Sequence, residues 1–249
     1  MSLDNKTIVV AGAGGLLGRA IVPALLRQGA HVIALDSSPL IYEASKHLFV
    51  LQGDITNAAS LEQVFDAGVR EFSRIDGAVN AAYPRNEHYG RPFLDVTFED
   101  FSENVSLHLG GYFNFMQRCV RYALQTKERF SLVNLSSIYG SIAPRFDLYS
   151  ETSMTMPVEY AAIKSAIQHL STYATAYTKG SQFRVNCVSP GGILAQQDEN
   201  FIARYKTHCR TKGMLDAKDI VGSILFLLSD DSEFVCGQTI VVDDGFHTL

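Results

Sequence analysis

The chain has 249 residues, 47% of them hydrophobic, and a formal net charge of −5. It can bury one large core and has no basic excess to hold nucleic acid or an anionic membrane surface. Cys119, Cys187, Cys209 and Cys236 are widely spaced and form no CxxC, so neither a disulfide framework nor a metal site is indicated, and a cytoplasmic setting fits. The first strand begins within a few residues of the N-terminus, leaving no room for a signal peptide, and no apolar run reaches membrane-spanning length.

The first predicted element, Thr7-Ile-Val-Val-Ala11, is a strand that meets the glycine turn Gly12-Ala-Gly-Gly-Leu-Leu-Gly18 and continues as a helix through Leu26. Gly12, Gly15 and Gly18 lack Cβ atoms, so a pyrophosphate can approach the backbone and sit on the free N–H groups and positive dipole of the helix start. A second strand, 31–35, ends at Asp36, near the spacing at which a carboxylate meets an adenosine ribose. The pattern predicts NAD(H) over NADP(H), since Asp36 accepts from a 2'-hydroxyl and repels a 2'-phosphate; Arg19 is the nearest compensating cation.

A third strand, 48–51, ends in Gly53-Asp54-Ile55. Two readings stand for Asp54: it and Ile55 meet the adenine at the carboxyl edge of a parallel sheet, or Asp54 caps the helix that starts near Asn57. Helical spacing follows over 60–72, a fourth strand over 76–79, and then Asn80-Ala81-Ala82-Tyr-Pro84, whose small residues leave room for a cofactor. A long apolar helix pattern covers 98–124. The fifth strand, 130–135, delivers Ser136 and Ser137, and a polar loop of about twenty residues separates these from a helix over 157–177. A sixth strand, 183–188, ends in Ser189-Pro190-Gly191-Gly192, and a helix near 216–228 and a strand over 238–242 close the chain. Seven strands alternating with helices predict one α/β domain over 1–249, a doubly wound parallel sheet with helices on both faces.

Tyr160 and Lys164 stand four apart on one helix face, with Ser137 arriving from the strand before. A phenol near pKa ~10 is too weak an acid to ionise at neutral pH, but a neighbouring ammonium favours its phenolate. Tyr160 can then exchange a proton with an alcohol while Ser137 bonds the substrate oxygen and Lys164 reaches the nicotinamide ribose.

These motifs resemble the short-chain dehydrogenase/reductase family over essentially the whole chain. The matches are the glycine turn, Asp54-Ile55, Asn80-Ala81-Ala82, 133–137, Tyr160-Ala-Ala-Ile-Lys164, 184–191, and 226–230 through Gly237-Gln238 to Val242-Asp243. The resemblance implies a Rossmann-type subunit, a nicotinamide cofactor, Ser/Tyr/Lys catalysis and a homodimer or homotetramer. It also implies cofactor contacts from Leu16, Leu17, Pro190, Gly191 and Ile193. Asn80-Ala-Ala-Tyr-Pro-Arg85 and Leu107-His-Leu-Gly-Gly111 are similar to a bacterial flagellin-modification subgroup associated with surface-sugar synthesis.

The departures set further expectations. The spacing G-x-x-G-x-x-G is similar to the longer sugar-nucleotide branch, which keeps an epimerase or dehydratase with internally recycled cofactor as an alternative; a cofactor-binding regulator without turnover is another. Ala11 and Ala195 stand where the family has threonines. His108 occupies the place of an asparagine that holds a water in the family's proton relay, and an imidazole can donate, accept and titrate near neutrality; Asn104, one turn earlier, is the competing candidate. Arg204, Lys206, His208, Arg210 and Lys212 predict a cationic helical lid over 201–213. With the loop over 141–158, that lid implies an anionic, sugar-like substrate such as a sugar phosphate or sugar nucleotide.

Overall fold

The computed structural model describes residues 2–43 and 45–248. Seven strands form one parallel sheet in the order β3-β2-β1-β4-β5-β6-β7: β1 Thr7–Ala11, β2 His31–Asp36, β3 Leu48–Gln52, β4 Gly77–Asn80, β5 Phe130–Leu135, β6 Phe183–Pro190 and β7 Thr239–Val242. The sequence of β1, Thr-Ile-Val-Val-Ala, is wholly buried because both faces are covered. Alternate residues serve opposite cores. Val9, Ala11, Ile33, Leu35 and Ala78 face α2 Ala58–Phe72, α4 Gly110–Thr126 and α5 Val158–Tyr177. Ile8, Val10, Val32, Ala34 and Val79 face α1 Gly18–Arg27 and α7 Val221–Leu228.

Register lines up the carboxyl ends of the central strands. Ala11 lies opposite both Leu35 and Asn80, Asn80 opposite Asn134, and Leu135 opposite Val188. Gly12, Asp36, Ala81, Ser136 and Ser189 therefore emerge along one edge. The chain order reverses between β1 and β4, so the connections after these strands diverge and open a crevice there.

Three elements differ from the sequence expectation. The apolar run 98–124 is not one uniform helix: α3 Phe98–Asn104 passes through a π turn at Val105–Leu109 into α4. Gly110 and Gly111 follow that turn directly, where helix propensity is weak. Pro157 is the extended N-cap of α5 and not its first helical residue. In the segment 201–213 the helix α6 spans Glu199–Thr207, started by Asp198, whose side chain accepts from the amides of Asn200 and Phe201, and it stops before Lys212.

Candidate active site

The glycine turn forms the floor of a cleft of about 1340 Å³ along the carboxyl edge. Gly12 has φ +76, and a Cβ built there would lie 2.6 Å from the amide nitrogen of Ala82; a Cβ on Gly18 would collide with the Gly12 carbonyl oxygen. Only glycine at both places lets the turn fold tightly beneath the cleft. No side chain caps α1 and no acid occupies its first turn, so its positive end stays open toward an anion. Asp36 fixes the far end: its Oδ2 accepts from the Gly14 amide at 2.9 Å and its Oδ1 from the Ser38 amide at 3.0 Å. Arg19 Nε donates to the Gly14 carbonyl at 2.8 Å, and the Tyr42 hydroxyl to the Ala13 carbonyl at 2.7 Å. The residues present fit a dinucleotide with its pyrophosphate at the turn and its adenosine ribose at Asp36.

The structure brings most predicted contacts to this cleft: Gly12, Gly15, Leu16, Leu17, Asp36, Asp54, Ile55, Ala81, Ala82, Pro190, Gly191 and Ile193 all line it, with Ser137, Tyr160 and Lys164. Gly18, Asn80 and His108 are not among the lining residues. Gly18 works through the turn, and Asn80, fully buried, accepts from the Ala82 amide at 3.2 Å and so holds the wall in place. The capping alternative for Asp54 is overturned. Asn57 caps α2 by accepting from the Ser60 amide, while Asp54 accepts from the Thr56 amide at 2.8 Å. Ala195 lines the cleft, and its amide is taken by the side chain of Gln197 at 2.7 Å.

Ser137 leaves β5 and Tyr160 and Lys164 project from α5. Gln168, one turn further along α5, donates to the Ser136 hydroxyl at 3.0 Å and to the Ser137 carbonyl at 3.2 Å, fastening the strand end to the helix. Lys164 Nζ donates to the Leu135 carbonyl at 2.8 Å and lies 5.2, 5.5 and 5.8 Å from the ring centroids of Tyr112, Tyr160 and Tyr83. Burial pulls the Lys164 ammonium down to about 7. Burial also pushes the Tyr160 phenol above its ordinary value, with the Ser137 hydroxyl pulling the other way. In the chain itself desolvation dominates, and Tyr160 is a protonated acid at neutral pH.

His108 sits on the π turn, wholly buried, its ring 5.0 Å from that of Tyr83 and 5.4 Å from that of Tyr112. Neither ring nitrogen has a partner among the described residues. Burial first, then the charges of Lys164 and Arg85, hold its pKa well below the ordinary histidine value, so it is neutral near pH 7 and the expectation of titration there is overturned. Asn104 is occupied elsewhere. It accepts from the Asn86 amide at 2.9 Å and donates to Asn86 Oδ1 at 3.1 Å and to Glu159 Oε1 at 3.3 Å.

The cationic lid does not form. Arg204 bonds the Ser150 hydroxyl at 2.8 Å and Glu151 at 2.6 Å, tying α6 to the long loop. Lys212 pairs with Asp216 and Asp219, and Arg145 meets His208 Nδ1 at 3.1 Å. None of Arg204, Lys206, His208, Arg210 and Lys212 lines the cleft. What these two segments turn inward is aromatic and thioether surface: Tyr149, Met154, Met156, Phe201 and Tyr205, joined by Tyr83, Tyr139 and Met214. The sequence reading missed these residues, as it missed Arg85 at the cleft mouth. A helical period in 199–207 would have placed Phe201 and Tyr205 on one inward face.

Comparison with known proteins agrees with this geometry. The family profile described as Enoyl-(Acyl carrier protein) reductase matches residues 12–247. The chain is 39% identical to post-translational flagellin modification protein A of Campylobacter coli, over 98% of this chain and 99% of that protein. It is 30% identical to a probable galactose dehydrogenase of Rhizobium meliloti, over 98% of this chain and 95% of that one. Among solved structures, a short-chain dehydrogenase from Leptospira borgpetersenii with bound NAD+ superposes with a TM-score of 0.89 at 32% identity, covering 98% of this chain and 93% of that chain. With that coverage and identity, the chain belongs to the short-chain dehydrogenase/reductase family, oxidoreductases that act on CH–OH groups.

Proposed function

We propose that this protein is an NAD(H)-preferring oxidoreductase acting on the alcohol or carbonyl of a sugar-like substrate. One observation carries the reading: Ser137, Tyr160 and Lys164 face the same cleft as the glycine turn and Asp36. The nicotinamide, when bound, supplies or accepts the hydride. Ser137 holds the substrate oxygen, and the protonated Tyr160 gives that oxygen a proton during reduction, or recovers it during oxidation. Lys164 orders the nicotinamide ribose and lies against the Tyr160 ring. The tyrosines around the cleft offer hydroxyls to a polyol and flat faces to its C–H edges, and the name of the Rhizobium relative, a probable galactose dehydrogenase, lends support to a sugar-linked role. All four cysteines are free thiols, in keeping with a reducing cytoplasm. The test is a panel of hexoses, hexose phosphates and uronates assayed with NADH and NAD+. Substrate-dependent nicotinamide turnover is expected, and NAD(H) binding without turnover across the panel favours the non-catalytic regulator.

We assign His108 as a relay residue acting through Lys164 and not as a contact to substrate. A neutral imidazole with one donor and one acceptor, both unclaimed among the described residues, can hold a water through which a proton passes between the Lys164 pocket and solvent. His108→Phe should lower kcat about 10-fold or more and change the solvent isotope effect, while His108→Asn, which also donates and accepts, should restore both. An unaltered kcat and isotope effect in His108→Phe would remove it from the relay.

A homodimer or homotetramer is proposed on α4 and α5, whose outer faces leave Phe113 46%, Tyr173 63% and Tyr177 69% exposed. Light scattering at micromolar concentration should give two or four times the 27.4 kDa chain mass. A 27.4 kDa species would leave those rings as solvent-facing surface.

A further inference from the structure

We infer that Arg85 is the specificity residue of this cleft, binding a phosphate or carboxylate on the substrate. The inference rests on the oxidoreductase reading above and moves the source of anion recognition from α6 to the loop after β4.

Charge is unevenly distributed along the cleft. Among the described residues, Asp36 and Asp54 are its lining carboxylates, and both belong to the dinucleotide end. At the other end stand two cations, Lys164 and Arg85. Lys164 is spent on the Leu135 carbonyl and the tyrosine rings. Arg85 is not. Its guanidinium lies 4.7 Å over the Tyr83 ring, and one Nη touches the Tyr83 carbonyl at a long 3.4 Å. Among the described residues no carboxylate pairs with it, whereas Arg91, Arg118, Arg129 and Arg204 all have acidic partners.

Placement makes that unspent fork useful. The Tyr83 ring that carries Arg85 stands edge-on to the Tyr160 ring at 5.8 Å between centroids, and the Tyr83 hydroxyl is braced by a 2.9 Å hydrogen bond to Tyr89. Stacking on Tyr83 limits the rotamers of Arg85, so less freedom is lost when a ligand binds. A guanidinium matches the paired oxygens of a phosphate or carboxylate, and the bond is charge-assisted. A substrate whose reacting carbon lies at Tyr160 would direct an acidic group at the opposite end of a short polyol to the cleft mouth, where Arg85 stands. A neutral sugar leaves the guanidinium to water.

The test compares D-glucose, D-glucose 6-phosphate and D-glucuronate as probes of the NADH-saturated protein, titrated calorimetrically against wild type, Arg85→Gln and Arg85→Lys. Wild type should bind one of the two anions about 10- to 100-fold more tightly than glucose, the range for losing charge-assisted hydrogen bonds, and which anion wins separates phosphate from carboxylate. Arg85→Gln should erase the preference with NADH affinity unchanged, and Arg85→Lys should recover part of it. Equal binding of all three probes, or a preference that survives in Arg85→Gln, overturns the assignment. So does weakened NADH binding in Arg85→Gln, which would give the guanidinium to the dinucleotide. Failure of the oxidoreductase reading looks different: the anion preference persists, but neither charged nor neutral sugars turn over.

Discussion

Tyr160→Phe should abolish turnover, with kcat falling by roughly 10³-fold or more, while NADH binds as tightly as before. The ring stays, and with it the packing against Tyr83 and the contact with Lys164, so only the hydroxyl is lost, with its exchangeable proton and its bond to Ser137. The pH dependence follows from the same burial. A phenol pushed above its ordinary value is protonated throughout the neutral range, so reduction, which consumes that proton, should run at pH 7 without a Tyr160-dependent loss. Oxidation needs the phenolate and should accelerate as pH rises. Reduction that falls as pH rises through neutrality, with oxidation already level there, would show that Tyr160 titrates low in the working enzyme. Full activity in Tyr160→Phe would take the proton from another group altogether.

Replacement of Asp36 should give the second large effect. The carboxylate sits at the end of β2, fixed by the Gly14 and Ser38 amides, where it can accept from an adenosine ribose hydroxyl. Losing a hydrogen bond to a charged group and the repulsion of a 2'-phosphate together should shift the NAD/NADP affinity ratio by about 100-fold in Asp36→Ala. Because alanine also frees the Gly14 amide, Asp36→Asn is the necessary companion: it can keep one backbone bond while removing the charge. Fluorescence titration with NADH and NADPH should show both variants relaxed toward NADPH. Unchanged discrimination would assign the choice to Arg19 or to the segment 37–42 that borders the cleft.

The parts of the fold legible in the sequence are those fixed by local rules. Alternating Ile8, Val9 and Val10 report a strand covered on both faces, and the four-residue step from Tyr160 to Lys164 places both on one side of a helix whatever else surrounds it. The substrate end is less local. Arg204 reads as a free cation because its acidic partner, Glu151, lies on the long loop, and Lys212 because Asp216 and Asp219 fall just past the end of the segment 201–213. His108 belongs to an apolar helix pattern that gives no sign of the π turn, and a π turn shifts which residues face inward. The raised phenol of Tyr160 has the same origin, since spacing reveals the neighbouring ammonium but not how thoroughly the surrounding rings desolvate the pair.

The most direct measurement follows a labelled hydride. The protein is incubated with NADH deuterated at the transferable position, together with the hexose, hexose-phosphate and uronate panel, and products are examined by mass spectrometry and by nicotinamide absorbance. Deuterium should appear at one carbon of one product with matching loss of NADH, and neither signal should appear with Tyr160→Phe. Product formation without net NADH consumption would indicate the internally recycled cofactor of an epimerase or dehydratase, and no labelled product from any member of the panel would contradict hydride transfer to a sugar-like substrate.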